Sequence, residues 1–329
     1  MRLKILEILT CPKCFGELSC SILKENDEGE IINGALECRR CEFNCNITQG
    51  IPRFVGGRNY ASSFSYQWNC FKFEQLDSFT RKSFSEKRFF SETGWTKEWL
   101  DGKWILDAGC GAGRFLDVIS KSFCDVVGVD ISEAIDAASV TIHGRKNVHL
   151  VQASIYELPF RPGAFDGCYS IGVIQHTPDP KKAILSLPKF LKKEGRIAVT
   201  IYERKKLTKL NSKYLVRPLV KKLNKRCLLF AIKAIMPFLF LLTEILFRLP
   251  ILGRLFRFVV PVANYVDEAE LSFSQRYRWA ILDTFDMLSP EYDYPQTEKD
   301  VRNYLSKAGI IEIYRLNNSG LNLIGRKRM

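Results

Sequence analysis

Histidine is scarce, with three in 329 residues, so an imidazole acting near neutral pH has only three candidates. Negative charge is missing where positive charge is dense. Residues 203–261 carry 14 Lys and Arg against two acids, Glu203 and Glu244, which accounts for nearly all of the formal net charge of +13. The basic character therefore belongs to one segment and not to the whole surface. A long uninterrupted apolar run is also absent. The most apolar passage, residues 227–249, is broken by Lys233, Pro237 and Glu244, whereas a spanning helix wants about 20 apolar residues with few or no charges. The opening "MRLKILEILTC" reads poorly as a signal peptide, because its short apolar run is broken by Lys4 and Glu7. Thr10 and those charges also fit a lipoprotein cleavage before Cys11 poorly. A cytoplasmic chain is expected, its eleven cysteines serving as thiols or metal ligands.

What is present begins with cysteine. Cys11-Pro12-Lys13-Cys14 and Cys38-Arg39-Arg40-Cys41 are two C-x-x-C pairs with 23 residues between them. Each pair is a tight turn aiming two sulfurs at one point, and two turns complete a tetrahedral four-thiolate site for Zn2+. Cys20 and Cys45 lie nearby without paired partners. The stretch between the pairs predicts a strand, a loop and a returning strand. About 50 residues bury too little core to stand alone, which is the usual reason for a structural metal. A redox pair competes less well, since two pairs at this spacing point to one metal. The passage 6–55, ending in "GIPRF", resembles the zinc-ribbon family that includes the activator subunit of tRNA and translation-factor methyltransferases, and such a ribbon also occurs ahead of methyltransferase domains. That division places a ribbon at 1–57 and a larger domain at 60–329.

"WILDAGCGAGRF" (104–115) is an apolar strand running into glycines at 109, 111 and 113. Glycines at a strand-to-helix turn let backbone approach a ligand closely. A dinucleotide fingerprint needs a glycine three residues after the second one, and Arg114 stands there instead. "DVVGVD" then ends in Asp130, 21 residues after Gly109, placed to accept both hydroxyls of a ribose.

This is the pattern of a class I S-adenosylmethionine-dependent methyltransferase, and the resemblance runs from about residue 64 to the end. It implies that Asp107 and Gly109, Gly111 and Gly113 hold the methionine end of the cofactor and Asp130 the ribose. Ser154, where that family most often has Asp, and Ile155 would serve the adenine, and Ser170 lies on the fourth strand beside the site. The family's cover over the cofactor implicates "FSYQWNCF" (64–71) and "RFFSETGW" (88–95), with Tyr66, Trp68 and Arg88 facing it.

Strands near 103–107, 125–130, 147–152, 166–173 and 195–202 alternate with helices near 113–122, 132–141 and 180–192. The expected fold is α/β: a doubly wound, seven-stranded, mostly parallel sheet, closed by a hairpin around "NNS" and interrupted by a helical insertion at about 203–290. Asp179-Pro180 and Thr297-x-x-Asp300 read as helix starts. His176, past the fourth strand, is the best candidate base. Asp283, with Asp286, Tyr292 and Tyr294, falls in 276–297, which reads as a loop-rich stretch for substrate binding.

The acceptor class follows from the insertion. At 100° per residue, Lys222, Arg226, Lys233, Glu244 and Arg248 fall within a sector of about 80°. A broad apolar face beside a narrow polar stripe suits a helix lying in an anionic membrane surface. It equally suits a lid over the acceptor pocket or a contact in a homodimer. The expected acceptor is a small or lipid-linked molecule such as a glycolipid or polyprenyl intermediate. An rRNA or tRNA acceptor is the alternative, disfavoured because the basic residues are coupled to aliphatic runs and not to stacking groups. A non-catalytic module recruiting a partner through the ribbon is a third reading, and the intact set Asp107, Gly109–Gly113 and Asp130 argues against it.

Overall fold

The computed structural model describes every residue except 57, 58 and 319. The ribbon's exit at 57 and the last residue of "NNS" lie outside the described residues. The chain opens with β1 (Leu18–Glu25), β2 (Ile31–Cys38), β3 (Asn44–Thr48) and β4 (Ile51–Pro52), an antiparallel meander. Four helices follow: α1 (Ser62–Phe71), α2 (Asp77–Thr80), α3 (Phe84–Thr93) and α4 (Lys97–Leu100). Then β5 (Trp104–Ala108), α5 (Arg114–Ile119), β6 (Asp125–Asp130), α6 (Ala134–Thr141), β7 (Val148–Gln152), β8 (Phe165–Ile171), α7 (Pro180–Ser186) and β9 (Leu191–Ile201) alternate. The insertion contributes α8 (Ser212–Val220), α9 (Lys225–Leu246), α10 (Leu252–Val259) and α11 (Phe273–Leu288). The chain closes with α12 (Glu298–Lys307), β10 (Ile310–Arg315) and β11 (Leu321–Lys327).

The large sheet has the order β10-β11-β9-β8-β5-β6-β7. All neighbours from β9 to β7 pair in parallel, and only β11 runs against both of its own. This is the doubly wound, mostly parallel sheet expected from the alternation. Successive residues of β5 serve opposite faces: Leu106 joins one apolar cluster and Ile105 the other. The expected caps are present, with the Asp179 carboxylate accepting from Lys182 N–H and the Thr297 hydroxyl from Asp300 N–H.

The small meander and the turn before it share one apolar cluster with the large sheet: Ile5, Leu9, Ile31 and Leu36 lie with Leu106, Val127 and Val151. Backbone bonds join the two units as well, from Thr10 N–H to Pro159 and from Phe54 N–H to Gln152. The helix expected over 180–192 stops at Ser186, passes a short 3-10 turn, and gives way to β9 at Leu191. Most of 276–297 is helix and not loop. Ser272 and Gln275 form a capping box that starts α11, and Phe285 and Leu288 anchor it in a third apolar cluster with α9.

Candidate cofactor and methyl-acceptor site

The strand order turns back between β5 and β8, so the carboxyl ends of β5, β6 and β8 diverge around a crevice. A cavity of about 490 Å³ occupies it, walled by the turn after β5, the end of β6, α1, α3 and α11, within the usual range of roughly 300–1,000 Å³ for small-molecule sites.

The glycine turn is held to β6. Gly109 and Cys110 N–H both donate to the Val129 carbonyl (2.8 and 3.0 Å), and Gly111 N–H donates to Asp130 Oδ2 (2.9 Å). Gly109 has φ +103°, and a Cβ there would sit 2.4 Å from Val173 Cγ1, so only glycine fits. These three N–H groups are therefore already satisfied. The turn offers a closely approachable backbone surface and not the open nest of donors that a pyrophosphate requires. Gly113 caps α5 and packs on Thr141, away from the lining.

Asp130 lines the cavity, with Oδ1 accepting from Ser132 N–H (2.8 Å) and its hydroxyl (2.7 Å). A carboxylate has about four acceptor positions, and with Gly111 N–H and the two Ser132 donors in place, one on Oδ2 is left to receive a hydroxyl. Asp107 is buried just behind the lining, and Tyr169 donates its hydroxyl to Oδ2 at 2.8 Å. Burial pushes the Asp107 carboxyl up to about 8 from 3.8, with the Tyr169 bond opposing. The sign follows. Between about pH 4 and pH 8 the folded chain binds a proton here that the unfolded chain has released, so this group's contribution falls as pH rises. Asp107→Asn is expected to melt higher than the parent, by a margin that grows up to about pH 8 and then stays level; a margin independent of pH in thermal scans would contradict it.

His176 lines the same cavity, buried between Phe64 and Tyr202. Its Nδ1 lies 3.0 Å from the Tyr292 carbonyl, which can only accept, so Nδ1 carries the proton and neutral Nε2 keeps its lone pair. Nε2 has no partner among the described residues. Burial lowers its pKa to about 4, which makes it a hydrogen-bond acceptor and a weak base. The neutral-range bases are Asp283 and Asp286, one turn apart on α11 and both pushed up to about 6 by burial. Asp283 accepts from Tyr265 Oη and Gln75 Nε2, and Asp286 from Gln67 Nε2.

The remaining sequence candidates divide. Ile155, Trp68 and Arg88 line the cavity. Tyr66 does not; it packs on Phe285, one register step from Gln67, which does line it. Ser154 is also outside the lining, its hydroxyl accepting from Tyr156 N–H (3.2 Å). Ser170 is buried and donates to the Ala108 carbonyl (2.7 Å), a strand-to-strand tie. Tyr292 and Tyr294 stand outside it too, Tyr292 acting through the carbonyl that orients His176.

Arg114 had registered only as the residue that breaks a glycine fingerprint. It proves to be a half-buried cation in the cavity wall, donating to Ser85 Oγ (2.9 Å) and Gln75 Oε1 (2.8 Å), with Nη2 buried and unpartnered among the described residues. Its partners come from α3 and from the turn between α1 and α2, so no local motif marks it.

At the other end, the Cys11, Cys14, Cys38 and Cys41 sulfurs all lie within 4.8 Å of one another. Cys11–Cys41 and Cys14–Cys38 are 3.5 and 3.4 Å apart. Four sulfurs about 2.3 Å from a tetrahedral zinc would be about 3.8 Å apart, so the cluster has the required size.

The family model described as "Methyltransferase domain" matches residues 106–199, which span the glycine turn, Asp130 and β8. That stretch is similar to a methyltransferase domain. Curated relatives include several methyltransferases. A tRNA (carboxymethyluridine(34)-5-O)-methyltransferase of Xenopus tropicalis is 33% identical over 118 residues, 35% of this chain and 18% of that protein. A ubiquinone biosynthesis O-methyltransferase of Dechloromonas aromatica is 27% identical over 117 residues, 32% of this chain and 50% of that one. An uncharacterized chloroplastic methyltransferase of Arabidopsis thaliana is 25% identical over 222 residues, 60% of this chain and 62% of the other. The chain thus spans less than two thirds of each of these relatives. Among solved structures, a Burkholderia thailandensis 1,6-didemethyltoxoflavin-N1-methyltransferase superposes with a TM-score of 0.42 at 15% identity, covering 85% of this chain and 95% of that one.

Proposed function

We propose that the chain is an S-adenosylmethionine-dependent methyltransferase acting on a small or lipid-linked acceptor, with a structural zinc in its four-cysteine cluster. The observation that carries the activity is the pairing of a backbone turn whose N–H groups are spent with a ribose-placed carboxylate, Asp130. A cofactor with a ribose and no phosphate fits such a site, and a dinucleotide does not. Two orphaned buried groups, Arg114 Nη2 and His176 Nε2, also call for polar partners that the cavity's contents would supply.

When bound, the cofactor supplies an activated methyl group on a sulfonium. Asp130 would accept a ribose hydroxyl, and Ile155 and Leu158 would flank the adenine with apolar surface. The free oxygen of Asp107 would face the methionine ammonium, whose charge favours the ionised acid. Arg114 would receive the methionine carboxylate. The acceptor then lies between His176 and the α11 face. His176 Nε2 accepts a hydrogen bond and orients it, and Asp283 or Asp286 takes the proton if the acceptor carries one.

A lipid-linked acceptor is supported by a groove of about 590 Å³ that shares Tyr202 and Lys213 with the cavity and is lined by Lys205, Lys206, Leu207 and Phe258. The RNA reading draws on a tRNA-modifying relative that matches 35% of this chain. Incubating the protein with labelled S-adenosylmethionine and a cell extract, then separating lipid, small-molecule and RNA fractions, tests the reading. Label is expected in the lipid or small-molecule fraction, and label confined to RNA would overturn that choice of acceptor.

A further inference from the structure

Fifteen of the 27 large apolar side chains that stand exposed among the described residues fall between 207 and 259. They are ordered by helix geometry. On α9 the apolar arc is split. Leu228, Ile232, Met236 and Phe240 are buried against α11, while Phe230, Ile235, Phe238, Leu241 and Ile245 occupy a separate arc of about 140° that faces out. Leu215 and Leu219 on α8, and Leu252, Leu255 and Val259 on α10, continue the exposed surface. Lys206, Lys209, Lys222, Arg226 and Arg254 are exposed around it and take no ion pair among the described residues. The one acid of α9, Glu244, is occupied by Arg248 and Arg276.

We infer that the outer face of α8, α9 and α10 docks on an anionic lipid bilayer. Aliphatic and phenyl groups would enter the headgroup boundary while the five cations meet lipid phosphates. A second copy of this chain fits less well, because a two-fold contact would set the same uncompensated cations against one another. Nucleic acid would leave the aliphatic arc facing water. Spanning is disfavoured by the inner side of α9. Withdrawing the helix would strip the Phe240–Phe285 cluster, the Arg276–Glu244 pair and the bond from Asn264 Nδ2 to Thr243 Oγ1 (3.0 Å). Docking does not depend on the proposed chemistry. The groove beside Leu207 and Phe258 would additionally bring a lipid-linked acceptor from this face to the cavity, and that step rests on the function proposed above.

The test is sedimentation of the full chain with phosphatidylcholine vesicles, with or without one third phosphatidylglycerol, at low and high salt. Binding is expected on the anionic vesicles at low salt. It should fall about tenfold or more at high salt, on neutral vesicles, and in the double variant Phe230→Asp with Phe238→Asp. Both phenyl groups are exposed, so the variant should keep its fold and its titration with S-adenosylmethionine, which separates docking from cofactor binding. No pelleting at low salt would overturn the proposal. Retention through both salt and carbonate would mean a spanning helix instead. A dimer dispersed by the double variant, with no vesicle binding, would assign the face to a second copy.

Discussion

Changing Cys38 and Cys41 together to serine is expected to remove the proposed zinc and lower the melting point of the whole chain, not of its first 55 residues alone. The parent should carry one zinc per chain by elemental analysis, and the double variant none. Zinc contributes about 10–16 kcal/mol to isolated finger peptides. If a third of that were lost here, the midpoint would drop by roughly 10 °C or more, since each kcal/mol moves a domain of this size by about 2–4 °C. A ribbon of about 50 residues buries too little core to stand alone, and the cluster that Ile5, Leu9 and Leu36 share with Leu106 and Val127 ties it to the large sheet. One lowered transition is therefore predicted. Two separate transitions, with the cofactor domain melting at the parental temperature, would show that the shared cluster couples the units only weakly. A metal-free parent would remove the zinc altogether.

Asp130→Ala is expected to weaken S-adenosylmethionine binding by about 1.5–3 kcal/mol, roughly ten- to a hundredfold, the scale for losing a charge-assisted hydrogen bond. Two losses combine. A ribose hydroxyl loses its acceptor, and Gly111 N–H loses the anchor that shapes the glycine turn (2.9 Å). Calorimetry giving parental affinity would take Asp130 out of the site.

How much of this was legible in the sequence differs by residue and has physical causes. The glycine turn and Asp130 were readable because their roles depend on backbone geometry and spacing along one strand-helix-strand unit, β5 to β6. The four cysteines were readable for the same reason. Ser154 and Ser170 misled because a hydroxyl can satisfy itself locally, on Tyr156 N–H and the Ala108 carbonyl, and sequence does not say which way it turns. His176 was chosen for an ordinary pKa near neutrality, and burial removed that advantage and gave it to Asp283 and Asp286. The aspartates had been read as loop residues because tyrosines, two prolines and acids crowd 286–295, although Ser272-x-x-Gln275 was a legible helix start. Arg114 needed Ser85 of α3 and Gln75 of the turn before α2 to become visible. On α9, periodicity located the polar stripe, but only the packing of α11 divides the remaining apolar arc into a buried half and an exposed one.

The central claim is that the crevice at the end of β5 and β6 takes S-adenosylmethionine. The most direct measurement is calorimetric titration of the parent chain with that cofactor and, separately, with NAD. Saturable binding of one S-adenosylmethionine per chain, lost or weakened in Asp130→Ala, with no heat from NAD, is the predicted result. Saturable NAD binding, or no binding of S-adenosylmethionine to folded, metal-replete protein, would contradict it.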